Sequence, residues 1–313
     1  MICLAGQTKN CEATLLCPQL NKTALAAAAL ILNAFFFGLS WWPFRTLQSH
    51  GLHPLWATSL TLGTALICLL LLRPFAWRSL LRHPMLWWLM LASGLTNVGF
   101  NWAVTVGDVV RVVLLFYLMP AWVVLLAWPL LGEKPGAGSV LRLTLALAGV
   151  AIVLKTPDSP WPIPDSLADW LALMAGFCFA VTNILLRKLN HTPGQARMLA
   201  MFAGGTLMAT GAALLGMHWD LVSAPPMPQA SWSWLALGTG LAMLAANLAL
   251  QYGAAHLNAS TTAIIMLSEV IFASVSSVLL GTGELSPRTL LGGALILLAS
   301  LLAVLSFGRP RSL

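Results

Sequence analysis

The sequence predicts an all-α integral membrane protein with ten transmembrane helices, arranged as two inverted repeats of five helices each. Three observations predict this fold class. Charged residues make up only 8% of the 313 residues, whereas 59% are hydrophobic. The hydrophobic residues fall into stretches that are long enough to cross a membrane. Polar and aromatic residues in the first half of the chain recur at matching positions in the second half.

The low charge indicates which solvent surrounds the protein. A soluble domain usually carries about 25% charged residues, because its surface must stay hydrated. This chain has too few charges for a water-facing surface, so lipid must be its outer solvent. The net charge of +7 does not indicate nucleic-acid binding, because the basic residues lie in short loops between apolar stretches. The partners we expect are the lipid bilayer and a small-molecule substrate, with no nucleic acid and no obligatory protein partner.

The length of the apolar stretches gives the number of spans. A bilayer core about 30 Å thick needs roughly 17–25 residues of helix. This length predicts ten spans, at about 24–45, 55–72, 85–106, 110–131, 138–154, 167–187, 197–217, 234–253, 259–280 and 289–307. Residues 155–166 contain four prolines and suit a stiff linker between repeats at 24–154 and 167–307. Residues 1–23 and 308–313 are expected to be terminal tails, the first of them loosely ordered.

The distribution of positive charge predicts the orientation. An even number of spans places both termini on the same side of the membrane. Twelve of the sixteen lysine and arginine residues fall on that side, and the other side has Arg45, Arg111, Lys155 and Arg288. Loops rich in lysine and arginine face the cytoplasm. The sequence therefore predicts a multi-pass protein of the inner membrane whose two termini are cytoplasmic.

An internal repeat connects the two halves. A shift of 150 residues aligns Asn97, Asn101 and Trp102 with Asn247, Gln251 and Tyr252. A shift of 142 residues aligns the first span with the sixth, and there Phe35, Phe37, Ser40 and Arg45 match Phe177, Phe179, Thr182 and Arg187. Each repeat has an odd number of spans, so the second copy enters the membrane upside down. Inverted repeats are typical of transporters that bind substrate near the membrane midplane and open alternately to either side.

A paired motif carries a family resemblance. Leu118-Met119-Pro120 is followed by an apolar run to Leu131-Gly132-Glu133-Lys134-Pro135, and the second copy runs from Leu267-Ser268-Glu269-Val270 to Leu280-Gly281 and Glu284. This pair resembles the ten-helix class of the drug/metabolite transporter superfamily, with two EamA-type repeats, over about residues 24 to 307. Val270 stands where a proline is usual, so the motif does not itself predict a kink in the ninth span.

The resemblance also implies a function. Within the superfamily the chain is similar to bacterial exporters of amino acids, aromatic ones included. The resemblance therefore implies a secondary transporter that exports small metabolites, with amino acids as the expected substrates. Export of drugs or of other metabolites by the same fold is the alternative.

Glu269 is the sharpest candidate for a site residue, because it is the one carboxylate well inside a predicted span. Polar groups are costly in hydrocarbon and usually face a cavity or a partner helix. One interpretation is a proton carrier or a partner for a substrate ammonium group. The other is a hydrogen-bonded residue that packs one helix on another.

Other polar and aromatic residues in the spans have the same two interpretations. Asn97, Asn101, Asn183, Asn247 and Gln251 can line a cavity or join helices by hydrogen bonds. Four aromatic residues can stack on a substrate or pack in the core: Trp41, Trp102, Tyr117 and Tyr252. Pro120 is predicted to line the cavity. Gly38, Pro43 and Pro120 are predicted to act as hinges.

Three charged residues lie at predicted span ends. Arg45 and Arg111 are expected to reach lipid headgroups or, on a sharper interpretation, to recruit a substrate carboxylate. Asp108 is expected to cap the N-terminus of the fourth span.

An integral membrane enzyme is the non-transporter alternative. Such an enzyme would need a nucleophile, a base or metal ligands inside the spans. The sequence has no H-E-x-x-H, no G-x-S-x-G and no pair of intramembrane aspartates, and its histidines fall at span ends or in loops. It also has no Walker loop, which excludes an ATP-driven pump in this chain. We therefore predict no enzymatic activity, no cofactor and no metal.

Overall fold

The computed structural model describes residues 8–119, 121–123, 125–126, 137–155, 164–257, 259–281 and 286–307. Helices form nearly all of these ranges, and none of them contains a strand. The helices are α1 Thr8–Leu39, α2 Trp41–Ser49, α3 Pro54–Leu72, α4 Ala76–Arg82, α5 Met85–Val106, α6 Val109–Phe116, α7 Ala137–Leu154, α8 Leu167–Lys188, α9 Gly194–His218, α10 Ala230–His256, α11 Ala259–Met266, α12 Ser268–Leu279 and α13 Pro287–Phe307.

The predicted fold class is confirmed. Five of the described helical segments are long and apolar enough to cross a membrane by themselves: Lys22–Ser49, Pro54–Leu72, Leu167–Lys188, Gly194–His218 and Ala230–His256. Large apolar side chains such as Leu71, Trp234 and Leu279 are exposed around the bundle, as expected of a surface that faces lipid. Two details differ from the prediction. Helix α1 begins at Thr8, before the predicted start of the first span at about residue 24, and the short helix α4 lies in a predicted loop.

Local sequence signals determine where several helices begin. Helix α3 begins at His53-Pro54, where proline occupies the first turn and the His53 ring accepts a hydrogen bond from Leu55 N at 3.3 Å. Asp108 Oδ1 accepts from Arg111 N at 2.8 Å, which confirms the predicted cap of the fourth span. Ser166 Oγ caps α8 by accepting from Asp169 N at 3.1 Å. Each cap satisfies a backbone N–H that the first helical turn leaves without a partner.

The packing of the helices shows the repeat symmetry. Helix α5 of the first repeat packs on α8 and α9 of the second repeat. The equivalent helix of the second repeat, α10, packs on α1 and α3 of the first repeat. Three further pairs join equivalent spans of the two repeats: α3 with α9, α6 with α12, and α7 with α13. Exchanging the repeats leaves this pattern unchanged. The two repeats therefore pack on each other in a pseudo-two-fold symmetric pattern.

The first span is broken at Ser40, between α1 and α2. Pro43 has no N–H to donate to Leu39 O, and its ring crowds that carbonyl. At the break, Ser40 Oγ and Ser40 N both donate to Phe37 O, at 2.7 and 3.2 Å. The equivalent sixth span has no proline, and α8 runs without interruption from Leu167 to Lys188.

The fourth and ninth spans break at equivalent positions. Helix α6 ends at Phe116 and is followed by a turn at Tyr117 and Leu118; α11 ends at Met266 and is followed by a turn at Leu267. Pro120 lies outside the described residues. The ninth span breaks without a proline, and Ser268 Oγ donates to Ile265 O at 2.6 Å beside the break. The motif alone does not predict this second break.

Candidate substrate site between the repeats

The breaks of the fourth and ninth spans bring Tyr117 and Glu269 together. Tyr117 Oη donates to Glu269 Oε2 at 3.3 Å. Tyr117 is buried, whereas Glu269 keeps part of its surface accessible although it lies deep in the ninth span. Glu269 is in the first turn of α12, where the helix dipole favours negative charge. A carboxyl group placed in this way can hold a proton or a cation near the middle of the bundle.

Gly38 lets α1 approach the Glu269 turn closely. A Cβ atom at this position would lie 2.6 Å from Phe272 Cβ and 2.8 Å from Glu269 O. Both distances are too short for any side chain, so this helix crossing requires glycine. The proposed hinge at Gly38 stays a prediction, and the structure shows instead a tight contact between the first and ninth spans.

Trp41 extends the same contact along α12. Its Nε1 donates to Ser276 Oγ at 3.0 Å, and the buried ring lies 5.5 Å from the guanidinium carbon of Arg45. Glu269 and Ser276 are seven residues apart and therefore share one face of α12. We call Gly38, Trp41, Tyr117, Glu269 and Ser276 the central cluster. Sequence reasoning missed Ser276, although a serine within an apolar helix is the kind of signal that could have found it.

The predicted amides are placed differently. Asn101 is buried and donates to Thr58 Oγ1 at 3.2 Å, so it joins α5 to α3. Asn97 donates to Ser93 O at 2.8 Å, and Asn183 donates to Phe179 O at 3.0 Å, both within their own helices. Only the Asn101 bond corresponds to the helix-packing interpretation, because the other two bonds join no second helix. A role for the amides in lining a cavity stays a prediction.

The aligned residues Trp102 and Tyr252 do not meet. Trp102 packs edge-on against His53 with ring centroids 5.1 Å apart, near the C-terminus of α5. Tyr252 is partly exposed and lies against His256 at 4.4 Å, near the C-terminus of α10. Because the repeats are inverted, these positions are at opposite ends of the bundle. Two further predicted residues lie on α10: Asn247, and Gln251, which adjoins Gly194.

Arg111 forms an ion pair that the sequence did not predict. Its Nε donates to Asp169 Oδ1 at 2.8 Å and its Nη2 donates to Asp169 Oδ2 at 2.7 Å. The same Nη2 lies 3.2 Å from Asp165 Oδ1. The expectation that Arg111 reaches a headgroup or a substrate carboxylate is therefore wrong in this conformation, because two aspartates occupy it. The signal that could have found the pair is that Arg111 and Asp169 both begin spans on the same side of the membrane.

Arg45 also has a partner within the protein. Its Nε donates to Val104 O at 3.0 Å, and its Nη2 donates to Gly107 O. These carbonyls belong to the C-terminal end of α5, where the helix dipole favours a positive charge. Arg45 thus caps α5, and contact of its side chain with lipid headgroups or a substrate carboxylate stays a prediction.

A depression of about 420 Å³ opens above the Arg111 pair. It is lined by Val106, Gly107, Asp108, Arg111, Asp165, Ser166, Leu167 and Ala168. We call this the ion-pair end of the bundle. Among the residues that the structure describes, no group of three or more histidine, cysteine or acidic side chains could hold a metal ion.

Comparison with known families decides what this architecture is. The profile of the EamA-like transporter family matches the chain twice, over residues 24–155 and 166–305. The chain belongs to the EamA-like transporter family. It is therefore a membrane transporter of small molecules, and the family resemblance drawn from the paired motif is confirmed. The finer similarity to amino acid exporters stays a prediction.

Solved structures agree on the fold of this EamA-like transporter. One of them, titled only "Crystal structure of protein", aligns with a TM-score of 0.56 at 19% identity and covers 92% of this chain and 99% of its own. At this identity the likeness concerns the fold alone. No curated protein matches the chain.

Proposed function

We propose that this EamA-like transporter exports amino acids, aromatic ones included, across the inner membrane by alternating access. Both termini lie in the cytoplasm in this proposal. The observation that carries it is the pairing of Tyr117 and Glu269 at 3.3 Å, because each residue comes from a different repeat and adjoins a break in its span. A substrate bound there touches both halves of the protein.

The central cluster has the chemistry to bind an amino acid. The Glu269 carboxylate can accept the substrate ammonium group, and the positive end of the α12 dipole favours its carboxylate. The rings of Tyr117, which contacts Glu269, and of Trp41, which bonds Ser276 two turns farther along α12, are buried in this conformation and become accessible to an apolar or aromatic side chain when the site opens. A substrate with both charges and an apolar part uses all three features.

The same carboxyl group supplies a coupling mechanism. A proton and a substrate ammonium group compete for Glu269, so only one of them occupies it at a time. Alternating exposure of the site then exchanges outgoing substrate for an incoming proton. Removal of the carboxyl charge abolishes this exchange and leaves, at most, transport down the substrate gradient.

A second candidate function is export of hydrophobic cations. It is favoured by the same contact, because a carboxylate that bonds the Tyr117 hydroxyl, with the Trp41 ring two turns farther along α12, also suits a cation without a carboxylate of its own. The two candidates differ in whether the substrate must present an anionic group.

Counterflow in liposomes tests the proposal. We expect saturable uptake of one class of labelled amino acid, aromatic or small aliphatic, and stimulation by a pH gradient. Glu269→Gln should abolish the stimulation. Asp220→Asn makes the same chemical change at an exposed loop residue and should preserve it. Uptake of hydrophobic cations but of no amino acid would replace the first candidate with the second.

A further inference from the structure

The ion-pair end of the bundle is closed by a contact between the two repeats. Resting on the alternating access proposed above, we propose that Arg111, Asp169 and Asp165 form a gate at this end. The gate must open for substrate to pass. It also shifts the resting equilibrium toward conformations that are closed at this end. Positive charge in the loops predicts that the gate faces away from the cytoplasm.

The two charges of the ion pair belong to different repeats. Arg111 belongs to α6 of the first repeat, and Asp169 belongs to α8 of the second. Their two parallel bonds, of 2.8 and 2.7 Å, form the bidentate pair of a guanidinium with a carboxylate. Such a pair is directional, so a separation of the helices by a few ångströms breaks both bonds. A relative movement of the two repeats therefore makes or breaks the contact as a unit.

Helix caps hold Arg111 and Asp169 in position. Asp108 caps Arg111 N at 2.8 Å, and Ser166 caps Asp169 N at 3.1 Å, so both helix starts are fixed. Asp165 N also donates to Asp169 Oδ2 at 3.3 Å. The Asp169 side chain is 1% exposed, compared with 46% for Asp165. The inner carboxylate is thus shielded from solvent and the outer one is open to it.

Arg111 is placed unfavourably in its own helix. It lies in the first turn of α6, where the helix dipole disfavours a positive charge. Asp169, in the first turn of α8, is placed favourably by the same rule. The stability of α6 therefore does not explain Arg111, whereas its contact with the other repeat does.

The positions equivalent to Arg111 and Asp169 carry no charge. The shift of 150 residues places Thr261 of α11 at the position of Arg111, and the shift of 142 residues places Ala27 of α1 at the position of Asp169. Helices α1 and α11 also pack together, at the opposite end of the bundle. Neither residue can carry a charge, so these positions cannot form an ion pair when the other end closes. One of the two alternating conformations therefore has an interaction that its counterpart lacks.

A labelling experiment tests the gate without knowledge of the substrate. A single cysteine is placed at Ala172, one turn beyond Asp169 on α8 and 0% exposed, in a background without the native cysteines. Protein in nanodiscs, where both faces are accessible, is reacted with a charged maleimide. Arg111→Ala and Asp169→Asn should each raise the labelling rate by about tenfold or more, since a population shift of that size follows loss of about 1.4 kcal/mol. Thr261→Ala, at the equivalent position, should leave the rate unchanged.

A double variant separates gating from damage by an unpaired charge. Arg111→Ala combined with Asp169→Ala leaves no buried charge without a partner, and we expect its labelling to remain fast. Slow labelling in the double variant, or in all variants, overturns the gate. If the parent protein shows counterflow while labelling stays slow, the proposed function stands and the gate fails. If labelling accelerates while no substrate is transported, the gate stands and the proposed function fails.

Discussion

The fourth and ninth spans are equivalent helices of the two repeats, and each breaks partway along its length. The fourth span breaks at Tyr117 and Leu118, shortly before Pro120, whereas the ninth breaks at Leu267 with Val270 in place of the proline. In the ninth span a serine hydroxyl bonds the backbone beside the break, and Gly38 packs directly against the next turn. Packing between the repeats therefore maintains a broken helix that has no proline.

The starts of the same two spans differ in a second way. Arg111 begins the fourth span and pairs with Asp169, while Thr261 and Ala27 occupy the equivalent places at the opposite end. The repeats thus share helix packing but not charge. In the alternating access proposed above, these charges make the two conformations unequal in free energy.

The largest effect should come from breaking the ion pair. Arg111→Ala leaves the carboxylate of Asp169 buried without its partner, and the free energy of unfolding should fall by about 3 kcal/mol. Thr261→Ala at the equivalent position should lower it by less than about 1 kcal/mol. Thermal unfolding in detergent measures both. Equal losses for the two variants would mean that the two ends do not differ in this way.

The next effect concerns the close contact beside Glu269. Gly38→Ala forces a methyl group to within 2.6 Å of Phe272 Cβ, and the resulting strain should cost about 1–3 kcal/mol of unfolding free energy. Transport should fall as well, because the turn that carries Glu269 must move. Gly211→Ala is the matched control, since a Cβ atom there meets nothing within 4 Å. If both alanine variants behave alike, close packing at Gly38 does not hold the ninth span.

A smaller effect should follow from removal of the Tyr117 hydroxyl. Tyr117→Phe keeps the ring but loses the hydrogen bond to Glu269, which at 3.3 Å is a long bond and is worth about 1 kcal/mol at most. Counterflow at low substrate concentration should therefore fall by about fivefold or less. Ser49→Ala removes an exposed hydroxyl and should not change the rate. A rate for Tyr117→Phe within twofold of the parent would dissociate this bond from transport.

The smallest effect concerns two other equivalent helices, α3 and α9. His53 caps α3, whereas α9 begins after Pro193 without a side-chain cap. Partial burial lowers the pKa of His53, so its neutral form is favoured in the folded protein. As the pH falls below about 6.5, the unfolded chain takes up the proton first and stability declines. Protonation also removes the acceptor for Leu55 N.

The control for this prediction is His53→Asn, which keeps a capping acceptor but does not titrate. Unfolding temperatures measured between pH 7.5 and pH 5 should decline less steeply in this variant than in the parent. Identical pH profiles would show that protonation of His53 does not weaken the cap.

The sequence was most informative about features that depend on local chemistry. Apolar stretches of membrane length predicted the spans, since lipid admits only helices whose backbone groups are paired within the helix. Asp108 predicted a helix start, because a short carboxyl side chain reaches the nearest unpaired backbone N–H groups. The paired motif predicted the family, and Glu269 was singled out because an isolated carboxyl group in an apolar run is costly.

Tertiary structure decided which distant residues meet. The sequence aligned Trp102 with Tyr252, but inversion of the repeats places them at opposite ends of the bundle. It predicted a lipid headgroup or a substrate carboxylate as the partner of Arg111, whereas the crossing of α6 and α8 brings Arg111 to Asp169. It also did not predict that Tyr117 would reach Glu269, 152 residues away along the chain. Composition and periodicity fix what each helix must bury, but the choice of partner depends on helix crossings that no single segment encodes.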